Sequence, residues 1–180
     1  MTSEGDKTVR LNDPRALRAY AHPLRLRMLS LLTATPMSAA ELSRELDVTH
    51  ANASYHLRVL ARASVVVVAE EREVRGGQER RYSIAGPEPA RAHDPHERRQ
   101  FFRVVAEELV RRSAQEAASR RNAPRTISSD AELWVSREIW SDVVERVFAA
   151  VHDLHEAAQP PRTRGTVRTS TTVAMFGMTR

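Results

Sequence analysis

The sequence predicts a mainly α-helical protein with one β-hairpin and a helical C-terminal extension, and three observations support this prediction. Apolar residues recur at helical spacing between residues 16 and 60. A β-branched stretch at 65–69 is followed by a glycine pair and a second short stretch at 81–84, which is the pattern of a hairpin. Helical periodicity then returns at 94–121 and at 136–158.

Two helices are predicted at the N-terminal end. Asp13-Pro14 favours a helix start, because aspartate caps a helix and proline fits its first turn. His22-Pro23 interrupts this helix and begins the next one, which carries apolar residues at 24, 28, 31 and 32. Thr35-Pro36 ends the second helix, because proline cannot continue it.

Residues 38–60 read SAAELSRELDVTHANASYHLRVL and predict a helix, a short turn and another helix. Ser38 followed by Glu41 is a capping-box pattern, and Asp47-Val48 predicts a tight corner. Thr49 is the predicted cap of a helix that runs to about Arg62. Five apolar residues are expected to bury together across the two helices, so that the second helix projects its polar face: Leu42, Leu46, Val48, Ala53 and Leu57.

The polar face of that second helix carries side chains suited to the DNA major groove. Asparagine reads adenine and arginine reads guanine through paired hydrogen bonds, and a helix N-terminus attracts phosphate. The candidate contacts are Thr49, His50, Asn52, Ser54, Tyr55 and Arg58. Tyr55 is expected either to touch the DNA backbone or to cover the motif. His56 is expected to be half buried and to bond a nearby carbonyl.

The hairpin follows where a wing would lie beside the DNA backbone. Arginine at such a tip suits phosphate contact or entry into the minor groove. The candidate contacts here are Arg72, Arg75, Gln78, Arg80 and Arg81. The alternative is a solvated hairpin in which the arginines pair with Glu70, Glu71, Glu73 and Glu79.

These segments resemble the ArsR-type winged helix-turn-helix regulators over about residues 12 to 85. The resemblance lies in DPRALRAYAHPLRLRMLSLL, in MSAAELSRELDVTHANASYHLRVL and in the hairpin ending RRYSI. Ser54, His56, Leu57 and Leu60 match the S-x-H-L-x-x-L core of the family's recognition helix. The resemblance implies a homodimer that binds palindromic operator DNA and responds to a signal. The cysteine ligands of the family's metal-sensing members are absent.

Composition excludes several other classes of function. The 180 residues include no cysteine, so disulfides, thiolate metal sites and cysteine nucleophiles are excluded. There is no phosphate loop and no nucleophile motif, and glycine occurs only six times, so neither an enzyme nor a cofactor site is expected. No apolar run is long enough for a membrane span, and the polar N-terminus lacks a secretory signal, so a cytoplasmic location is expected. The net charge of +5 favours an anionic partner such as double-stranded DNA.

The chain is expected to divide into a DNA-binding domain at 11–86, a helical dimerisation region at 94–158 and a tail at 159–180. The tail alternates over Thr166–Met175, which suits either a strand or a loose end. The region 94–158 is expected to pack against a second subunit, because its helices have no obvious partner within the chain. The alternative is that these helices close over the DNA-binding domain, and both arrangements can hold together. A ligand pocket for an unidentified small-molecule effector is a further hypothesis, with lining residues Phe101, Phe102, Trp134, Trp140 and Phe148.

Two alternatives stay open on the sequence. One is a winged-helix module that binds protein and not DNA, which the glutamates of the hairpin favour. The other is a metal-responsive repressor that uses histidine and carboxylate ligands. Its candidate ligands are His93, Asp94, His96 and Glu97, and His152, Asp153, His155 and Glu156.

Overall fold

The computed structural model describes residues 18–74, 77–85, 95–115 and 125–178. The helices are α1 (Pro23–Leu32), α2 (Ala39–Leu46), α3 (His50–Arg62), α4 (Pro95–Ser113) and α5 (Arg137–Glu156). The strands are β1 (Met37–Ser38), β2 (Val66–Val74) and β3 (Gly77–Ile84). Residues 18–20 are also helical and precede α1. The predicted helix start at 13–14 and the predicted domain boundary at 86–89 lie outside the described residues.

Helix α1 begins at the break that the sequence predicts. His22 is its N-cap, and the Nδ1 atom of His22 accepts a hydrogen bond of 3.2 Å from the backbone N–H of Leu24. Pro23 occupies the first turn, where a missing N–H costs nothing. The helix buries Leu24, Met28, Leu29 and Leu32, so one face of α1 forms the floor of the core.

The reciprocal capping box at the start of α2 is confirmed. The backbone N–H of Ser38 donates to Glu41 Oε2 at 2.7 Å, and the N–H of Glu41 donates to Ser38 Oγ at 3.3 Å. The helix ends at Asp47, whose φ of 53° is left-handed and turns the chain sharply. The N–H of Asp47 bonds the carbonyl of Ser43, so the predicted corner is a closed helix end.

Helix α3 follows this corner and packs across α2. The Oγ1 atom of Thr49 accepts a hydrogen bond of 3.2 Å from the N–H of Asn52, which confirms Thr49 as the N-cap. The side chains of Ala53, Leu57 and Leu60 are buried against the core. Helices α1, α2 and α3 therefore share one apolar core, which also includes Leu42 from α2.

The hairpin is longer than its apolar residues predict. Strand β2 runs nine residues and β3 eight, whereas the sequence predicts 65–69 and 81–84. The extra pairs are charged residues facing each other, such as Glu71 opposite Arg80 and Arg72 opposite Glu79. Opposite charges across strands stabilise pairing without burial, so apolar alternation underestimates the strand length. The turn predicted over residues 75–78 is wrong at its second half, because Gly77 and Gln78 belong to β3 and pair with Val74 and Glu73. Residues 75–76 lie outside the described residues.

A third, two-residue strand completes the sheet and is not predicted from the sequence. In β1, Met37 pairs with Tyr82 and Ser38 pairs with Arg81, so the strand order is β1-β3-β2. Two residues are too few to show an alternating pattern. The pairing ties the base of the wing to the start of α2, and it fixes the wing relative to the helix-turn-helix.

Helix α4 packs back onto α1. Phe101 is buried, and its ring meets Tyr20 edge to face with a centroid distance of 6.0 Å. The Nε and Nη2 atoms of Arg18 donate to Glu97 Oε1 at 2.9 and 2.7 Å. The helix ends at Ser113, eight residues earlier than the predicted end at Arg121, and residues 114–115 form a turn. Residues 116–124 lie outside the described residues.

Helix α5 differs from the others because none of its side chains is buried. Ser136 caps it by accepting a 3.2 Å bond from the N–H of Ile139, at the predicted start of the helix. Residues 157–178 then continue without a strand, so the strand considered for Thr166–Met175 does not form in the described tail. Among the described helices, none is long and apolar enough to cross a membrane.

Candidate nucleic-acid interface

The recognition helix α3 exposes one face along its full length. Four of its exposed side chains fall on one stripe, in steps of four, three and four residues, and are Ala51, Tyr55, Arg58 and Arg62. Tyr55 is 55% exposed. The opposite face carries Ala53, Leu57 and Leu60, so the same core contacts that hold α3 also direct its outer stripe to solvent.

Most of the predicted contacts on α3 lie on or beside this stripe. Thr49, His50 and Asn52 are exposed at the N-terminal turn, and Ser54 is half buried. Two members of the stripe are missing from the sequence prediction. Ala51 has no polar group to attract attention, although an alanine methyl can pack on a thymine methyl. Arg62 lies one turn beyond Arg58, and that i, i+4 spacing is the signal that identifies it.

His56 faces inward and does not belong to the exposed stripe. It is only 6% exposed, which is more buried than the sequence prediction of a half-buried residue. The prediction that it bonds a carbonyl is not met at Nδ1, which has no hydrogen-bond partner among the described residues. Its ring lies against His22, with a centroid distance of 4.5 Å, and against Tyr55 at 5.1 Å.

Two wing arginines lie in exposed ion pairs. Arg72 Nη2 is 2.6 Å from Glu70 Oε2, and Arg80 Nε donates to Glu71 Oε1 at 2.9 Å. Both arginine side chains are 57% exposed. Exposed pairs of this kind contribute about 0–1 kcal/mol, so either guanidinium can exchange its carboxylate for a phosphate at little cost. Gln78 is also exposed, and Arg75 lies outside the described residues.

Arg81 has a different environment from the other wing arginines. Its side chain is 15% exposed, its Nη1 donates to Glu41 Oε1 at 2.8 Å, and its Nη2 donates to the carbonyl of Pro36. Burial by itself would raise the pKa of Glu41, but the Ser38 backbone bond and the charge of Arg81 lower it. Arg81 therefore joins β3 to the capping box of α2, and its guanidinium already has partners.

The aromatic residues considered for a ligand pocket do not share one environment. Phe101 belongs to the core, whereas Trp134 is 88% exposed and Phe148 is 43% exposed. Phe102 contacts Phe176 of the tail, with a centroid distance of 5.8 Å. Arg98 lies over both rings, at 5.7 and 5.5 Å from their centroids. The aromatic set is thus divided between the core, the tail contact, the segment before α5 and α5 itself.

The histidines and carboxylates considered for a metal do not form a ligand set in the described chain. No three His, Asp or Glu side chains within residues 18–74, 77–85, 95–115 and 125–178 are close enough to hold an ion. Glu97 is instead paired with Arg18. His93 and Asp94 lie outside the described residues.

One family model matches the segment that contains helices α1 to α3. Residues 20–69 match a family model described as "Helix-turn-helix domain". This range begins just before α1 and ends in β2. The match agrees with the helix-turn-helix fold that the ArsR-type resemblance predicts and that α2 and α3 form. None of the curated proteins is similar enough to count as a match.

Three proteins of solved structure are similar to part of this chain. HlyU from Vibrio cholerae is 21% identical over 53% of this chain and 87% of its own, with a TM-score of 0.35. A possible transcriptional regulator for arsenical resistance is 26% identical over 56% and 95%, with a TM-score of 0.33. The homodimeric winged helix-turn-helix DNA-binding domain of Mb0332 from Mycobacterium bovis, a possible ArsR-family regulator, is 26% identical over 62% and 95%, with a TM-score of 0.35.

Proposed function

We propose that this chain, whose residues 20–69 form a helix-turn-helix domain, is an ArsR-type transcriptional regulator that binds palindromic operator DNA as a homodimer. The observation that carries the proposal is the exposed stripe of α3, which projects from a core-anchored helix beside an arginine-bearing wing. A protruding helix about 10–12 Å across fits a major groove about 12 Å wide.

In the proposed complex, α3 reads bases and its N-terminal turn holds phosphate. Asn52 and Arg58 are the side chains that pair with adenine and guanine edges, and Tyr55 contacts the sugar-phosphate backbone. Ala51 packs on a thymine methyl, and Arg62 reaches a phosphate farther along the groove. The free N–H groups of the first turn, beside Thr49, attract a phosphate through the helix dipole.

The wing contacts the backbone or the minor groove beside the recognition helix. Arg72 and Arg80 exchange Glu70 and Glu71 for phosphates, and Gln78 is a further contact from the exposed part of β3. Arg75 is also proposed to contact DNA. Arg81 is the member of the predicted set with the least access to DNA, because its guanidinium is bound to Glu41 and Pro36. We therefore assign Arg81 to holding the wing in position.

The second copy of the chain is proposed to cover the outer face of α5. Trp140, Val144, Val147, Val151 and Leu154 follow one another at steps of four, three, four and three residues, which is the spacing of a helix-packing seam. Leu154 is 53% exposed and the neighbouring Ile139 is 57% exposed. A two-fold dimer through this seam hides the apolar surface and presents two α3 helices about 34 Å apart, one turn of DNA.

The experiment that tests DNA binding is fluorescence anisotropy with the duplex recovered from DNA that co-purifies with the protein. We expect binding that weakens steeply between about 50 and 200 mM salt, because phosphate contacts release counterions. Arg58→Ala should lose discrimination between this duplex and a scrambled one, by about 1–3 kcal/mol. Arg146→Ala is the matched control, since Arg146 lies on α5 and pairs with Asp142 at the surface.

The glutamates of the wing favour a second candidate function, a module that binds a basic protein partner. Glu70, Glu71, Glu73 and Glu79 all lie on β2 and β3, where they neutralise part of the arginine charge. The same anisotropy experiment separates the two candidates. A module of this kind shows no enriched sequence in the co-purified DNA and no difference between Arg58→Ala and the wild-type chain.

A further inference from the structure

Two histidine rings meet between the start of α1 and the inner face of the recognition helix. The imidazoles of His22 and His56 have a centroid distance of 4.5 Å and an interplanar angle of 42°. His56 is 6% exposed, and His22 is half buried. The pair connects the start of α1 to α3, so its charge state affects the position of α3.

The bonding of His22 requires an unprotonated Nδ1. That atom accepts the N–H of Leu24 and caps α1, so its lone pair must be free and a neutral ring carries its proton on Nε2. A proton on Nδ1 turns the acceptor into a donor and breaks the cap. The Nδ1 atom of His56, buried beside it, has no described hydrogen-bond partner. A cation at either ring is therefore poorly accommodated.

The groups around the pair also oppose a positive charge. Arg25 lies close enough to act on both rings, and its Nη2 atom donates to the carbonyl of Arg18 at 3.1 Å. The ring of Tyr55 packs on His56, and no described carboxylate is among the groups that act on the two rings. Burial and then Arg25 lower the pKa of His22, while burial, His22 and Arg25 lower the pKa of His56.

We propose that the His22–His56 pair is a proton-sensitive joint, through which acidification uncaps α1, displaces the recognition helix and releases DNA. The pair is neutral at pH 7, where the cap and the ring packing are intact. Protonation removes the cap acceptor and places a cation beside Arg25 and the second imidazole. This regulation rests on the proposed DNA-binding function, and it lies within the reading domain itself.

The direction in which DNA affinity changes with pH distinguishes protonation of this pair from the effect of the overall charge. The chain has seven histidines, and protonating them adds positive charge, which by itself strengthens DNA binding at low pH. Protonation of the His22–His56 pair should instead weaken DNA binding on acidification. If the bound form excludes one proton, affinity falls by about tenfold per pH unit once the pH is below the pKa of the pair.

The test measures anisotropy of the labelled co-purified duplex from pH 7.5 to pH 5 at constant ionic strength. His22→Asn keeps a side-chain oxygen that caps α1 but cannot take a proton in this range. His56→Phe keeps the ring packing without a titrating nitrogen. His96→Gln is the matched control, because His96 is an exposed histidine of α4 and lies outside both α3 and the wing. Urea unfolding of each protein without DNA runs in parallel over the same pH values.

We expect the wild type and His96→Gln to lose affinity on acidification, and the double variant His22→Asn/His56→Phe to change less than about threefold. The urea concentration at the midpoint of unfolding should also decrease for the wild type as the pH is lowered below about 6.5, and it should decrease less for the double variant. Wild-type affinity that holds or rises at low pH, or a double variant with the wild-type profile, overturns the joint. If no duplex binds at pH 7.5, the proposed function fails, and the urea midpoints alone decide whether the pair senses protons.

Discussion

Replacing Arg81 by alanine should destabilise the protein through its contacts with α2, before any effect on DNA. The side chain of Arg81 is 15% exposed and that of its partner Glu41 is 29% exposed. The substitution removes the 2.8 Å ion pair to Glu41 and the hydrogen bond to the carbonyl of Pro36. Glu41 keeps its bond from the N–H of Ser38, so the capping box itself survives.

The expected loss of unfolding free energy follows from these two contacts. Hydrogen bonds to charged groups contribute about 1.5–3 kcal/mol, and partial exposure favours the lower end for the pair with Glu41. We expect a total loss of about 2 kcal/mol, or roughly 4–8 °C in Tm for a chain of this size. Arg80→Ala, which removes an exposed pair with Glu71, should cost less than about 0.5 kcal/mol.

Urea unfolding followed by circular dichroism measures both variants, and the pH dependence adds a second criterion. Because the pKa of Glu41 is lowered, the stability that the pair contributes is present above the ordinary glutamate pKa and is lost as the pH falls through the folded value. The difference between Arg81→Ala and the wild type should therefore shrink in acid. The reasoning is refuted if Arg81→Ala unfolds like Arg80→Ala yet abolishes DNA binding, because Arg81 would then act at the DNA and not at α2.

Three further predictions concern the cap, the outer stripe and the dimer seam. Ser38→Ala should lower the free energy of unfolding in urea by about 1 kcal/mol, whereas Ser38→Asn should stay close to the wild type because asparagine also caps a helix. Equal stability of all three proteins would argue against the capping box. Arg62→Ala should weaken anisotropy-measured binding of the specific and the scrambled duplex by the same factor and reduce the salt slope by about one, and a change of base preference instead would place Arg62 at a base edge. Val147→Glu, in the apolar seam of α5, should convert a dimer to a monomer in light scattering, whereas Glu145→Ala on the exposed side of α5 should stay dimeric; a dimeric Val147→Glu protein would move the interface away from α5.

The core and the helix boundaries of the reading domain could be predicted from the sequence because local rules decide them. The signals that mark the helix starts each act within one helical turn, and they are His22-Pro23, Ser38 with Glu41, and Thr49 before a helical pattern. The apolar residues of α3 then fix which side is buried, and its exposed side follows by geometry. These features depend on neighbours in the chain, so sequence periodicity is sufficient to find them.

The features that the sequence misses depend on partners far along the chain. The environment of Arg81 is set by Glu41 and Pro36, forty and forty-five residues away, and nothing in the hairpin pattern separates Arg81 from Arg80. His56 is expected from the sequence to be half buried against a carbonyl, but it is buried against the ring of His22, the N-cap of α1. Apolar alternation underestimates the lengths of β2 and β3, because charged residues pair across the wing and leave no alternating pattern.

Selection of random duplexes by the purified protein shows whether α3 reads the major groove, when the wild type is compared with the double variant Asn52→Ala/Arg58→Ala. We expect the wild type to enrich an inverted repeat with half-site centres about 10 base pairs apart, and the double variant to lose the enriched bases while still binding DNA at low salt. Enrichment of the same repeat by both proteins would show that α3 does not read the groove, and the interface assigned to it would be wrong.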